Sequence, residues 1–216
     1  MKTDIIKNFS GKRVLVLGDV VLDHYVWGEV ERISPEAPVP VLEVQKEEFR
    51  LGGAANVALN IRTLGGEPLL LGVIGKDAAA NDLIRLLTEK DIDTDGLIID
   101  SSRSTTLKTR IGAINQQIVR IDYETKTDIN LEIMRKLLTN LEGLITNCDA
   151  MIIEDYNKGL LTEKVIEEAL RYAKENIIPV AVDPKHKNFT SYKDVDIFKP
   201  NYKELQNISG KIFETE

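Results

Sequence analysis

Short β-branched runs recur along this chain, each followed by a stretch with helical periodicity, and that alternation leaves few folds open. Residues 13–18, 69–74, 150–154, 178–182 and 196–198 read as strands. Helices are expected at about 54–64, 78–90, 129–146 and 162–176, with a last one starting near Tyr202. Strands that alternate with helices argue for an α/β fold on a mainly parallel sheet. At 216 residues the chain is long enough for one substantial domain with its own core.

Two segments break the alternation. Residues 39–50 alternate without a helix following their own strand, and 105–122 read as a hairpin with strands either side of 112–115. Both look like antiparallel ribbons inserted into the α/β core. Pro35, Pro38 and Pro40 make 34–40 a stiff extended link that cannot be helix.

Composition narrows the partners. Hydrophobic residues make up 43% and charged residues 29%, as in an ordinary soluble globular protein. A net charge of -7 argues against nucleic acid or an anionic membrane as partner, though local Lys and Arg can still hold an anionic substrate. Residues 1–10 are polar and lack the apolar core of a signal peptide. No apolar run approaches the roughly 18 residues a bilayer demands. Cys148 is the single cysteine, so no intrachain disulfide can form and a reducing cytoplasm is the expected home. It precedes an apolar strand and reads as a small buried side chain rather than a nucleophile.

In open parallel sheets ligands bind beyond the carboxyl ends of the strands. Here those ends carry Asp19 and Asp23; Gly75, Lys76 and Asp77; Asp155 to Gly159; Asp183-Pro184-Lys185; and Lys199-Pro200-Asn201 with Glu204 one turn on. Five such ends predict a shared ligand cleft. The stretch 51–60 (LGGAANVALN) adds a glycine pair opening a helix with apolar positions at Ala54, Val57, Ala58, Ile61 and Leu64. Gly52 and Gly53 permit close backbone approach, and Asn56 both donates and accepts, which suits the hydroxyls of a small polar ligand such as a sugar. Gly75-Lys76 lacks the upstream glycine and the Ser or Thr of a Walker A loop. Gly18-Asp19 lacks the later glycines of a dinucleotide fingerprint. His24 and His186 have neither a cysteine partner nor ligand spacing for zinc.

The set Gly18-Asp19…Asp23, Gly52-Gly53-Ala54-Ala55-Asn56, Asp155-Tyr156-x-Lys158-Gly159, Asp183-Pro184-Lys185 and Pro200-Asn201-x-x-Glu204 resembles the ribokinase-like (PfkB) sugar kinases. More narrowly, residues 32–40 (RISPEAPVP) and Asn115-Gln116-Gln117-x-x-Arg120-x-Asp122 resemble heptose-7-phosphate kinases, in many bacteria the N-terminal half of a bifunctional ADP-heptose synthase. The resemblance runs from Lys12 to Gly210. It implies a three-layer α/β/α sandwich with a β-sheet lid inserted at about 24–50 and 104–122, the lids pairing in a homodimer. It also implies that residues 1–216 are the N-terminal two-thirds of the kinase domain.

The reaction implied is ATP-dependent phosphorylation of D-glycero-D-manno-heptose 7-phosphate at its anomeric hydroxyl, with Mg²⁺ bridging phosphate oxygens. Another sugar or nucleoside kinase, or a non-catalytic sugar-phosphate-binding fragment, are the alternatives. Carried over by residue, Asp19, Asp23 and Asn56 would bond the sugar, with Gly52 and Gly53 against its ring. Asn201 and Glu204 would organise Mg²⁺ and nucleotide phosphate, Glu204 through water, and Lys185 would touch phosphate. Lys108, Arg110 and Arg120 alternate along the hairpin and would hold the 7-phosphate, with Arg32 beside them. The family's Gly-Ala-Gly-Asp motif, which supplies the catalytic base, is absent from this sequence, so no catalytic residue is assigned.

Overall fold

The structure, a computed structural model, describes residues 7–113 and 116–209. Among the described residues the elements follow in chain order: β1 (Arg13–Gly18), β2 (Val20–Ile33), β3 (Pro40–Gly53), α1 (Ala54–Thr63), β4 (Glu67–Ile74), α2 (Ala78–Thr88), β5 (Leu97–Ile99), β6 (Thr106–Ala113), β7 (Gln116–Tyr123), α3 (Leu131–Ile145), β8 (Ala150–Glu154), α4 (Glu163–Glu175), β9 (Val180–Asp183), β10 (Ile197–Phe198) and α5 (Tyr202–Ser209). Six strands form one parallel sheet in the order β10-β9-β8-β1-β4-β5, and the other four form a second sheet in the order β3-β2-β6-β7.

Alternation along β1 explains the layering, because successive side chains leave a strand on opposite faces. Leu15 and Leu17 join Met151, Ile153, Val180 and Val182 under Ile133, Leu137, Leu141 and Ile145 of α3 and Val165, Ile166, Ala169 and Ala173 of α4. Val16 points the other way and packs with Leu70 and Ile74 beneath Ala54, Ala55 and Ala58 of α1 and Leu83 and Leu87 of α2. The small residues of α1 let its backbone settle close to the sheet. Three layers result, as the family resemblance implies.

Several expected boundaries shift for identifiable reasons. Asn130 and Thr162 are caps rather than helical residues: their side chains accept from the N–H groups of Ile133 and Val165. Those helices therefore begin at Leu131 and Glu163 rather than at 129 and 162. Strand β9 begins after Pro179, which has no N–H to give the ladder. Strand β5 is absent from the sequence reading, being only three residues long.

The second sheet holds the larger corrections. Strand β2, 14 residues long, was not among the expected strands, and it is the axis of this sheet. It pairs antiparallel with β3 and parallel with β6, so the two ribbons fuse into one four-stranded sheet. Residues 34–40 are not an extended link either: Ser34 N–H donates to Val39 O at 2.8 Å, closing a compact turn between β2 and β3. Strands β6 and β7 form the expected hairpin; Asn115, at its expected turn, lies outside the described residues.

Leu137 is fully buried between α3 and the sheet. Leu137→Ala should cost about 2–5 kcal/mol of stability, by lost transfer energy plus a cavity. Urea unfolding of the 216-residue chain measures it, and a loss below about 1 kcal/mol would place this layer outside the core.

Candidate functional site

The carboxyl ends of β1, β8, β9 and β10 lie side by side, and Asp19 is the residue that ties the first two together. Its backbone N–H donates to Glu154 O, and its carbonyl accepts from Ala54 N–H at the start of α1. Its buried carboxylate accepts from the N–H groups of Tyr156 at 2.8 Å and Lys158 at 3.1 Å. Burial raises its pKa to about 6; the two amides and Arg103 pull it down, and neighbouring Asp155 pushes it up. Asp155 is turned away into the core, where it accepts from Asn188 Nδ2 and the Tyr192 hydroxyl.

Gly53 carries φ +53, and a Cβ there would lie 2.4 Å from Asp19 O. A Cβ on Gly52 would lie 2.6 Å from Asp23 Oδ2. Gly53 is thus required by its φ and by the Asp19 backbone, while Gly52 leaves room for the Asp23 carboxylate. Helix α1 has no side-chain cap, and Asn56 is exposed in its first turn. Asp19, Asp23, Gly52, Gly53 and Asn56 are therefore gathered at one place.

The second sheet sets Lys108, Arg110 and Arg120 on one face, as their alternation predicts: Lys108 pairs across from Asp122, and Arg110 from Arg120. Arg110 Nη1 reaches Asp23 Oδ1 at 2.5 Å, which connects this face to the glycine pair. Every one of these cations has an acidic neighbour. Lys108 contacts Asp122 at 3.2 Å and Glu124 at 3.4 Å, and Arg120 Nε donates to Asp122 at 2.9 Å. Glu124 also binds Lys158, and against the effect of burial Lys158 and Lys126 hold its pKa down to about 2. Tyr25 carries Arg50 and Arg110 over its ring at 4.7 and 5.2 Å. Arg32 stands apart, exposed and 4.0 Å from Glu43.

Beyond β10, Asn201 and Glu204 form a capping box. Asn201 Oδ1 accepts from Glu204 N–H, and Glu204 Oε2 accepts from Asn201 N–H. Glu204 Oε1 takes Lys185 Nζ at 2.5 Å. Both carboxylate oxygens are engaged, one already by a cation. Among the described residues no group of three or more His, Cys, Asp or Glu side chains is arranged to hold a metal ion. The donor set fits Mg²⁺ only in the manner usual for that ion, one carboxylate with water and phosphate oxygens making up the rest.

The profile of the pfkB family carbohydrate kinases matches residues 12–216. The chain belongs to the pfkB family. Among curated relatives it is 45% identical over 195 residues to the bifunctional protein HldE of Helicobacter pylori strain J99, covering 90% of this chain and 42% of that protein. With HldE of Wolinella succinogenes the identity is 42% over 197 residues. The chain thus spans less than half the length of these relatives. Among solved structures it superposes on phosphofructokinase-2 from Escherichia coli with a TM-score of 0.74 at 18% identity, covering 95% of this chain and 65% of that one. A carbohydrate kinase from Agrobacterium tumefaciens gives 0.71 at 19%, covering 92% and 64%. These likenesses give the ribokinase-like fold of the family's kinases.

Two groups of this pfkB-family site have no role assigned from the sequence. Tyr156 joins its two ends: its N–H is on Asp19, and its ring lies 5.3 Å from Lys185 Nζ. Glu154 closes β8 and is buried beside Asp183, which Lys199 binds at 2.8 Å. Burial first, then Asp183, raise the Glu154 pKa to about 7. Their position after a strand was the available signal; charge burial is not visible in a sequence.

Glu154 carries a pH consequence. Its folded pKa of about 7 lies above its ordinary 4.5, so the folded state holds the proton longer. Its contribution to stability is complete below about pH 4.5 and is lost as pH rises through about 7. Asp19 acts in the same sense between 3.8 and about 6. We expect Glu154→Gln to raise the melting temperature at pH 8 and change it little at pH 4.5. A melting scan across that range checks it, and an equal shift at both ends would remove Glu154 ionisation as the cause.

Proposed function

We propose that this chain carries the sugar site and part of the nucleotide site of an ATP-dependent kinase acting on D-glycero-D-manno-heptose 7-phosphate. The product would be the 1,7-bisphosphate, on the route to ADP-heptose for the lipopolysaccharide core, in the cytoplasm. The observation that carries the reading is identity of 44–45% with HldE along nine-tenths of this chain. The domain reading goes with it: residues 1–216 as the N-terminal two-thirds of a ribokinase-like kinase domain, with lid insertions at about 24–50 and 104–122.

In this reading Asp19, Asp23 and Asn56 bond sugar hydroxyls while Gly52 and Gly53 let the ring approach. Lys185 and Asn201 face nucleotide phosphate, and Glu204 orders water around Mg²⁺, which would neutralise charge between phosphate oxygens. Lys108, Arg110 and Arg120 receive the 7-phosphate. Their present carboxylate partners keep the side chains extended over one face, and each guanidinium retains N–H groups beyond those it gives to acids. A dianion then meets donors already in place.

Calorimetry with the 216-residue chain tests this. Lys108→Gln with Arg120→Gln should weaken heptose 7-phosphate binding by about 1.5–3 kcal/mol, since charged hydrogen bonds are lost. The unphosphorylated heptose should bind the variant and the parent alike. Equal losses for both sugars would favour a kinase whose substrate carries no phosphate.

The homodimer is proposed through the opposite face of the second sheet. There Val119, Ile121 and Tyr123 are exposed, in register with Ile111, Thr109 and Leu107. His24 stacks on Phe49 at 4.3 Å on the same face. Contiguous exposed apolar strands of this kind favour association. We expect Ile121→Arg to shift the chain from dimer to monomer in sedimentation velocity at micromolar concentration. A monomeric parent chain would overturn the assignment.

A further inference from the structure

The lid hairpin leaves the core through residues 100–105 and returns through 124–129, and both stretches pass the loop after β8. Arg103 stands where the three meet. Its Nη2 donates to Lys158 O at 2.6 Å and to Thr127 O at 3.1 Å. Beside it, Ser104 N–H reaches Thr125 Oγ1 at 3.3 Å. Next along the chain, Thr105 N–H donates to Asp77 Oδ2 and Thr105 Oγ1 accepts from Gly75 N–H, anchoring the same segment to the end of β4.

Lys158 is therefore gripped three ways. Its N–H belongs to Asp19, its carbonyl to Arg103, and its ammonium to Glu124 at the end of the lid. The guanidinium of Arg103 is half-buried and, among the described residues, makes no ion pair. An arginine committed to two carbonyls fixes backbone, and bonds from a charged donor do so more strongly than neutral ones.

We propose that Arg103 is a positioning residue of the sugar site: by holding the Lys158 carbonyl it fixes the residue whose own N–H, one peptide earlier, orients the Asp19 carboxylate, and by holding Thr127 it registers the lid against that loop. The proposal rests on the reading of Asp19 as a sugar ligand. Neither the alternating lid cations nor the strand-end motifs include this residue.

The test uses Arg103→Met, which keeps the stem and removes the donors, and Arg103→Lys, which keeps one nitrogen. Amide hydrogen exchange on the 216-residue chain should be on the order of tenfold faster at Tyr156 and Lys158 in the Met variant. The Lys variant should recover part of that protection. Exchange at Leu71, inside β4, should stay unchanged. Heptose 7-phosphate should bind the Met variant on the order of tenfold more weakly by calorimetry. Unchanged exchange at Tyr156 and Lys158 overturns the positioning role, and so does an equal acceleration at Leu71, which would mark a purely global loss. If the Met variant does not fold, the Lys variant decides by the same amides. A parent chain that binds no heptose 7-phosphate would remove the sugar reading, while the exchange result still decides the role of Arg103.

Discussion

A buried carboxylate with two backbone donors organises this molecule. Asp19 directly follows β1, and its carboxylate gathers the amides of Tyr156 and Lys158 from the loop after β8. Placing a carboxylate there is unfavourable, which is why its pKa rises. Two amides offset part of that penalty, each bond to a charged group contributing about 1.5–3 kcal/mol. Because Asp19 also receives Ala54 N–H on its carbonyl, one residue sets the relation among β1, α1 and the strand-end loop. The adjacent Asp155 binds Asn188 and Tyr192 instead, so two neighbouring acids are held apart by opposite sets of donors.

From that point the second sheet is built outward. Strand β2 follows β1 after a single residue, so the position of Asp19 fixes where the second sheet begins. The lower rows of its inner face, Leu22, Leu51 and Leu107, pack into the core beside Val16 and Leu70. Further out the sheet loses that support. Every residue of β7 is exposed, and acids and bases on one face take over from apolar packing. Such half-exposed pairs contribute little stability singly, up to about 1 kcal/mol. A part of the fold held this way opens more readily than the core.

Much of the α/β core was legible in the sequence because period-2 and period-3.6 patterns coincide with burial there. Leu15, Val16 and Leu17 declare a strand with both faces covered, and Val165, Ile166, Ala169 and Ala173 declare one face of a helix. Strand β2 was not legible for the opposite reason. Asp23, Gly28, Glu29 and Glu31 interrupt its apolar pattern because it twists from the core into solvent, and only pairing with β3 and β6 makes it a strand. The glycine pair, Asn201 and Glu204 stand out in the sequence, and part of what sets them apart is local: close approach of Asp19 and Asp23, and a helix cap. Tyr156 falls inside a strand-end motif, yet like Glu154 and Arg103 it takes its role from neighbours distant in sequence: Asp19 for Tyr156, Asp183 for Glu154, Thr127 and Lys158 for Arg103.

The distribution of charge across the cleft has its own logic. Each cation that would serve a phosphate is paired with an acid: Lys108 and Arg120 with Asp122, Arg110 with Asp23, Lys185 with Glu204. An unpaired cluster of this density would repel itself and leave its long side chains free to wander, losing rotamer entropy only when ligand arrived. Carboxylates remove both problems, since they order the donors and cancel the field. The exchange they permit is one of partner rather than of conformation. Because the cation keeps its conformation and changes only its partner, a ligand with more charge per oxygen can displace one carboxylate edge without rebuilding the site. Neutral, preorganised pairs at both ends of one cleft therefore suit a protein that handles anions while keeping a net charge of -7.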